Sequence, residues 1–315
     1  LFCVCDNEHI YKGVYYVPVQ NFNRYKTILP DVLITSRWFE PLFMCPQDAK
    51  RILWLQDSLS PGLMSVIPKA DAVVFSSPWH LHYVSEHFAD LLYGKKTEVI
   101  PLGIRTKLFK DERYKIPLRV IFSNSPDRGL SSLGDFWPEL TERVPGITLT
   151  ITYGWATADA MVENNKNEEF TKLIAAQKAE IMGKFEGFDT VRWTGRIKKQ
   201  DLAREMLEAE LCLYPSNFYE TFCITGLETQ AAGTPMITTF RGAMPTTLCA
   251  EGNVLIRAHE TSEFYRKAFI DETVRLLTVD HDELLTMQAA CRNAISMGNE
   301  WGAIAEKWET FIYGL

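Results

Sequence analysis

Two carboxylates eight residues apart, Glu220 and Glu228, stand in the segment Tyr214-Pro-Ser-Asn-Phe-Tyr-Glu-Thr-Phe-Cys-Ile-Thr-Gly-Leu-Glu-Thr-Gln-Ala-Ala-Gly-Thr-Pro. The pattern predicts a strand ending at Tyr214, a loop carrying Glu220, and a helix that begins near Cys223 and stops at Gly233, whose missing Cβ suits a helix end. Free amides and the dipole at such a helix start favour an anion. The backbone from Cys223 through Ile224 to Thr225, just after Phe222, is where a diphosphate would sit. Glu220 could accept hydrogen bonds from sugar hydroxyls, and Glu228 from a ribose diol. A bare pair of glutamates at this distance is most often a cap and a solvated helix face. The complete strand, loop, helix, Gly-x-Pro context is what gives this pair weight.

A second segment, Phe122-Ser-Asn-Ser-Pro-Asp-Arg-Gly-Leu, ends another apolar run and carries Ser125, Arg128 and Gly129. An arginine in a glycine loop suits phosphate oxygens, because its planar fork donates in pairs and stays charged. Without context, Asp127-Arg128-Gly129 is most often only a turn. A third loop, Trp193-Thr-Gly-Arg-Ile-Lys-Lys-Gln-Asp, holds Gly195, Arg196 and Ile197 and then starts a helix near Gln200-Asp201. Nearer the start of the chain, Arg37 and the pair Gln56-Asp57 each end a strand. Of these two side chains Asp57 can transfer a proton and Gln56 cannot. Asp57 as a cap and Arg37 in a structural ion pair are the competing readings.

The first of these segments, with its Ala-Ala-Gly-Thr-Pro tail, resembles the Glu-x7-Glu motif of family 4 glycosyltransferases of the GT-B fold. Arg128 resembles the cation of the family's first donor-domain loop, although Ser123 and Asn124 stand where many relatives place a further arginine. Gly195, Arg196 and Ile197 resemble the loop whose backbone reads the nucleobase. The run Thr239-Phe-Arg-Gly-Ala-Met-Pro-Thr resembles a loop that is usually Gly-Gly-x-Pro-Glu, with Gly242 and Ala243 fitting and Thr246 where an acid is commoner. The likeness covers residues 98–315 and, more loosely, 28–97.

It implies a glycosyltransferase that moves a hexosyl or pentosyl group from a nucleotide-diphosphate donor to a hydroxyl, with retention and without a metal. Glu220, Arg128 and Asp57 would be catalytic. The donor would be held by Ser125, Arg128, Gly129, Gly195, Arg196, Ile197, Glu220, Phe222, Cys223, Ile224, Thr225 and Glu228. Arg37, Gln56 and Asp57 would face the acceptor, a glycan, glycoconjugate or small molecule. No cofactor beyond the nucleotide sugar is expected. Two other readings stay open: a GT-B nucleotide-sugar epimerase, and a non-catalytic nucleotide-sugar or glycan binding protein. A phosphorylase-like enzyme would want a cofactor lysine site, which the sequence does not show.

These loops need a scaffold, and the rest of the sequence supplies its pattern. Short apolar, β-branched runs recur at 14–17, 32–35, 52–55, 72–75, 98–101, 120–123, 148–153, 191–194, 211–214, 235–239 and 254–256. Amphipathic helices are predicted between or after them at 80–93, 168–184, 200–209, 262–277, 281–296 and 299–313. The alternation predicts an α/β protein of two Rossmann-like, doubly wound domains facing a cleft, with parallel sheets covered by helices. The resemblance then implies that residues 1–103, with a returning helix at 299–315, form the acceptor domain, and 104–298 the donor domain. Only four of the 18 glycines precede residue 104. Beside the family it resembles, the first domain is expected to be short of an opening strand and glycine-rich loop, whether removed, part of a larger polypeptide or absent from a shortened enzyme.

With 315 residues, 46% hydrophobic and 23% charged, the chain has a core to bury. A net charge of -7 argues against a protein built mainly for nucleic-acid backbone, and no apolar run is long enough to span a membrane. Peripheral membrane contact and any oligomeric state stay open. Seven cysteines without a Cys-x-x-Cys pair read as reduced, buried thiols in a cytoplasmic protein. His80, His82 and His87 lack a common metal-binding spacing and read as surface or interface groups. Trp301, Trp308 and Phe311 read as core packing of the last helix.

Overall fold

A computed structural model describes residues 2–3, 5, 7–25, 30–45, 48–111, 113–164, 167–278 and 281–315. Two compact units emerge, one of Leu1–Phe75, Tyr83–Val99 and Thr310–Leu315, the other of Ser76–His82 and Ile100–Glu309.

The first unit contains two sheets. Strands β1 (Phe2–Cys3), β2 (His9–Tyr11) and β3 (Val14–Pro18) form one, in the order β1-β3-β2. Only β3 was expected from the sequence, and β2 pairs with it antiparallel, a departure from the all-parallel expectation. The cause is a two-residue turn at Lys12-Gly13, with φ of 50° and 79°, in the left-handed geometry that closes hairpins. Short helices α1 (Phe22–Tyr25), α2 (Glu40–Met44) and α3 (Leu63–Val66) connect the strands that follow. Those strands, β4 (Val32–Thr35), β5 (Lys50–Trp54), β6 (Ala72–Phe75) and β7 (Lys96–Val99), form a wholly parallel sheet in sequence order. Its central strand β6 is buried along its whole length, as a parallel strand covered on both faces must be.

Helix α4 (Pro78–Leu92) begins in a turn that corrects one expectation: His80 is fully buried rather than at the surface. The Ser76 N–H donates to His80 Nδ1 at 3.4 Å, and the Ser77 hydroxyl accepts the His80 N–H at 3.1 Å, so the two serines fold the ring inward.

The second unit holds one six-stranded sheet made of β8 (Arg119–Phe122), β9 (Thr148–Thr152), β10 (Val191–Gly195), β11 (Leu211–Tyr214), β12 (Met236–Thr239) and β13 (Val254–Ile256). All pairs are parallel and the order is β10-β9-β8-β11-β12-β13. The chain therefore winds outward from β8 in one direction, then returns to its other side at β11 and winds outward again. Between β8 and β11 lies the topological switch point, where a doubly wound sheet opens a crevice beyond its strand ends.

Helices α5 (Leu130–Arg143), α6 (Ala156–Asn164), α7 (Glu168–Gly183), α8 (Lys199–Glu208), α9 (Ile224–Ala231), α10 (Met244–Thr247), α11 (Glu263–Thr278), α12 (His281–Ala294) and α13 (Trp301–Tyr313) complete the order. Trp137, Tyr214, Phe122, Tyr265 and Phe269 anchor the core between sheet and helices. Helix α7, expected to be amphipathic, buries only Ile181 among its residues. Trp301 also departs from expectation: it is 42% exposed while Phe311 is 5% exposed. It starts α13 against the backbone of Gly103, where a Cβ would stand 3.0 Å from it.

Candidate functional site

The loops that follow β8 and β11 meet at the switch point, and glycine allows the contact. Gly129 caps α5 with φ of 100°, and a Cβ on it would lie 2.0 Å from the Pro215 carbonyl oxygen. The β12 loop closes from the other side. Gly242 has φ of 59° and would place a Cβ 2.6 Å from the Glu220 carbonyl oxygen, which accepts the Ala243 N–H at 2.7 Å. Glu220 is thus fixed by backbone contacts before its side chain is considered.

That side chain is buried, and its Oε1 accepts from the Tyr214 hydroxyl at 2.7 Å and from Arg128 Nη1 at 3.0 Å. The Arg128 guanidinium also lies over the Phe218 ring, 4.0 Å from its centroid. Burial works against the Arg128 charge, yet Glu220, Tyr214 and Asp127 hold its pKa above the ordinary value. Burial, aided by the Glu220 charge, pushes the Tyr214 hydroxyl well up, so it stays a donor. One oxygen of Glu220 thereby gathers two donors, leaving further N–H groups of Arg128 for an anion.

Beside this pair stands the start of α9. Cys223 is its N-cap in the left-handed region, with φ of 71° and ψ of 75°, and its Sγ accepts the Gly226 N–H at 3.4 Å. Burial first, and the nearby Glu220 carboxylate second, push the Cys223 thiol well up, so it remains protonated. Ile224 and Thr225 belong to the first turn, whose N–H groups have no intrahelical acceptor. The Thr225 hydroxyl donates to the Ser123 carbonyl at 3.2 Å and ties α9 to the β8 loop. In that loop the Ser125 carbonyl accepts the Arg128 N–H at 3.0 Å, and the buried Asn124 Nδ2 has no hydrogen-bond partner among the described residues. Phe222 is buried against Ile104, Leu227 and Ala231.

The β10 loop approaches through another glycine pair. Gly195 has φ of 66° at a register shift in the ladder, and a Cβ on Gly154 would lie 2.8 Å from its Cα. Arg196 is exposed beyond it and Ile197 half-buried. Glu228 is buried, 7% exposed, and its Oε1 accepts from Lys199 Nζ at 2.7 Å. Lys199 escaped the sequence reading, as did Tyr214 and Phe218 as partners of Glu220 and Arg128. A cation opening a helix was the available signal for Lys199.

In the first unit the structure joins Arg37 and Asp57. Arg37 donates to both Asp57 oxygens, Nε to Oδ2 at 3.0 Å and Nη2 to Oδ1 at 2.8 Å. Both partners are exposed, and Arg37 takes a positive φ of 62° to make the contact. Gln56 is half-buried beside them. The ion-pair reading of Arg37 is the one the geometry matches, and it occupies the oxygens a base would use.

Among the described residues no group of three or more His, Cys, Asp or Glu side chains could hold a metal ion, and no helix is long and apolar enough to cross a membrane. Cys212, Cys223 and Cys291 are buried, whereas Cys5, Cys45 and Cys249 are partly exposed, contrary to the expectation that all would be buried.

A doubly wound parallel α/β sheet of this kind is found in GT-B glycosyltransferases, and comparison with known proteins agrees on the fold. Residues 137–278 match the family model "Glycosyl transferases group 1". MMP alpha-(1->4)-mannosyltransferase of Mycolicibacterium hassiacum is 25% identical over 183 residues, 58% of this chain and 39% of that protein. The chain thus spans well under half the length of that curated relative. Sucrose-phosphate synthase from Thermosynechococcus elongatus superposes with a TM-score of 0.71 at 18% identity, over 93% of this chain and 75% of that one. The pneumococcal O-GlcNAc transferase GtfA, solved with UDP and GlcNAc, gives 0.69 at 16% identity, over 98% of this chain and 62% of that one. HepE of Anabaena, solved with UDP and glucose, gives 0.66 at 17% identity, over 90% of this chain and 78% of that one. These likenesses establish the GT-B fold.

Proposed function

We propose that this chain is a nucleotide-sugar-dependent glycosyltransferase of the family 4 type, acting with retention and without a metal. The observation that carries the reading is the convergence at the switch point of Arg128, Glu220 and the first turn of α9. Arg128 and the amides of Ile224 and Thr225 would stabilise the negative charge that grows on the departing diphosphate. Glu220 holds Arg128 in place and, through its remaining oxygen, accepts from the donor sugar. Gly195, Arg196 and Ile197 would take the base and Glu228 the ribose. Residues 104–298 form the donor domain of this proposal, and residues 1–103 with 299–315 the acceptor domain. A hydroxyl of a glycan, glycoconjugate or small molecule attacks the anomeric carbon on the face the diphosphate leaves, and the leaving phosphate oxygen takes the hydroxyl proton.

Transfer assays with a panel of nucleoside diphosphate sugars, with and without chelator, test this. Turnover that survives the chelator and yields a product of unchanged anomeric configuration supports it. Binding of a nucleoside diphosphate without hydrolysis or transfer to any acceptor would sink it. That outcome would support a second reading, a non-catalytic nucleotide-sugar binding protein, which one observation favours: Arg37 takes both oxygens of Asp57, the side chain best suited to act as base.

A further inference from the structure

Lys199 is badly placed for the helix it starts. It follows Lys198, an N-cap with no side-chain hydrogen bond, at the end of α8 where the helix dipole disfavours a cation. Asp201 supplies the acid that this first turn favours, and Lys199 opposes it. Its side chain is 55% exposed, and an ion pair at such exposure adds little to folding. A residue that breaks a local rule without a structural return points to function.

The return lies in what Lys199 touches. Its Nζ stands 2.7 Å from Oε1 of Glu228, whose side chain is 9% exposed and makes no other hydrogen bond among the described residues. Glu228 lies one turn beyond Ile224 on the same face of α9, and Lys199 follows the Gly195–Ile197 loop by two residues. The pair therefore bridges the loop assigned to the base and the helix assigned to the diphosphate, the stretch a ribose would occupy.

We infer that Lys199 is a positioning residue that confers selectivity for ribonucleotides over 2′-deoxyribonucleotides. This rests on the donor reading proposed above. With Oε1 held by Lys199, Oε2 of Glu228 is the oxygen left to accept a ribose hydroxyl. A site built to bond a hydroxyl rejects the analogue lacking it, because a buried polar atom is then left unpaired. Without Lys199, Glu228 turns toward water, and the missing hydroxyl matters less.

Calorimetric titration of the full chain with nucleoside diphosphates and their 2′-deoxy counterparts tests this in the wild type, Lys199→Met and Lys199→Arg. The wild type should prefer the ribonucleotide. Lys199→Met should lose about tenfold of that preference through weaker ribonucleotide binding alone, with an unchanged melting temperature, and Lys199→Arg should restore most of it. An unchanged ratio in Lys199→Met overturns the inference, and so does equal weakening of both ligands, which would make Lys199 a phosphate ligand. A wild type that binds both forms equally overturns the inference and leaves the donor reading standing. A wild type that binds no nucleoside diphosphate overturns the donor reading itself.

Discussion

At the scale of single residues, Arg128 is held by a charge on one side and an aromatic face on the other. The Glu220 carboxylate fixes one nitrogen and Phe218 supports the plane, an arrangement that a lysine ammonium cannot reproduce. Arg128→Lys should therefore lower kcat/KM by about 100-fold while leaving the unfolding midpoint close to wild type, measured by donor turnover beside thermal melting. An active Arg128→Lys enzyme would show that the fork geometry is not used. Glu220 differs from Arg128 in being bound into the fold, because it also takes the Tyr214 hydroxyl deep in the core. Glu220→Ala should cost about 1–3 kcal/mol of stability as well as activity, since it leaves the buried Tyr214 hydroxyl unpaired and the half-buried Arg128 without its acceptor. Glu220→Gln keeps an acceptor and should separate the two losses. The neighbouring Gly129 sets the tightest steric limit. Gly129→Ala combines a φ of 100° with a backbone contact at 2.0 Å, so the β8 and β11 loops must part. Destabilisation of at least about 2 kcal/mol in chemical denaturation is the expected result.

At the scale of elements, α9 begins on a side chain in a conformation that glycine adopts more readily. Cys223 in the left-handed region bears a strain of about 1–2 kcal/mol, offset by burial of its thiol and the bond from Gly226. Cys223→Ala keeps the strain and loses the sulfur, whereas Cys223→Gly loses both. The glycine variant should therefore be the more stable of the two by about 1 kcal/mol, read from denaturant midpoints; the reverse order would mean that the backbone is not strained there. The elements themselves were largely legible in the sequence. Val32–Thr35, Ala72–Phe75, Leu211–Tyr214 and Val254–Ile256 form strands with those same ends, because each run of apolar, β-branched and aromatic residues stops where a polar residue or proline follows. The strand His9–Tyr11 was missed because all three residues are exposed, so no buried face marks it. In the candidate site, Arg128, Glu220 and Glu228 were legible from loop and helix-start patterns. Their partners Phe218, Tyr214 and Lys199 were not. The Arg128–Glu220 contact, 92 residues apart in sequence, exists only because β8 and β11 are neighbours, and strand order is not written in local periodicity.

At the scale of the whole molecule, stability should carry a pH dependence set by a group on the side of the sheet opposite the candidate site. Lys115 lies just before β8, and its Nζ donates to the Thr234 hydroxyl at 2.6 Å and to the Ala232 carbonyl at 3.1 Å. It thus joins the approach to β8 with the end of α9. Burial, with Arg292 nearby, pushes its pKa from 10.5 down to about 7. Between those two values the unfolded chain holds a proton that the folded chain has shed, so the unfolding free energy rises with pH through this window. Below about pH 7 the cost of burying the charged amine is present in full. The slope from this one group has an upper limit of ~1.4 kcal/mol per pH unit. An opposing set takes over at higher pH. Burial raises the Cys212, Cys223 and Cys291 thiols and the Tyr214 and Tyr265 hydroxyls, so the stability they contribute is lost only as the solution becomes alkaline. The window from pH 7 to about 8.5, the ordinary thiol value, is therefore where Lys115 acts without those groups. Denaturant unfolding across that window should show wild-type stability rising with pH and Lys115→Met nearly flat. Parallel slopes in the two proteins would show that Lys115 stays charged in the fold, held by its hydrogen-bond acceptors in spite of burial.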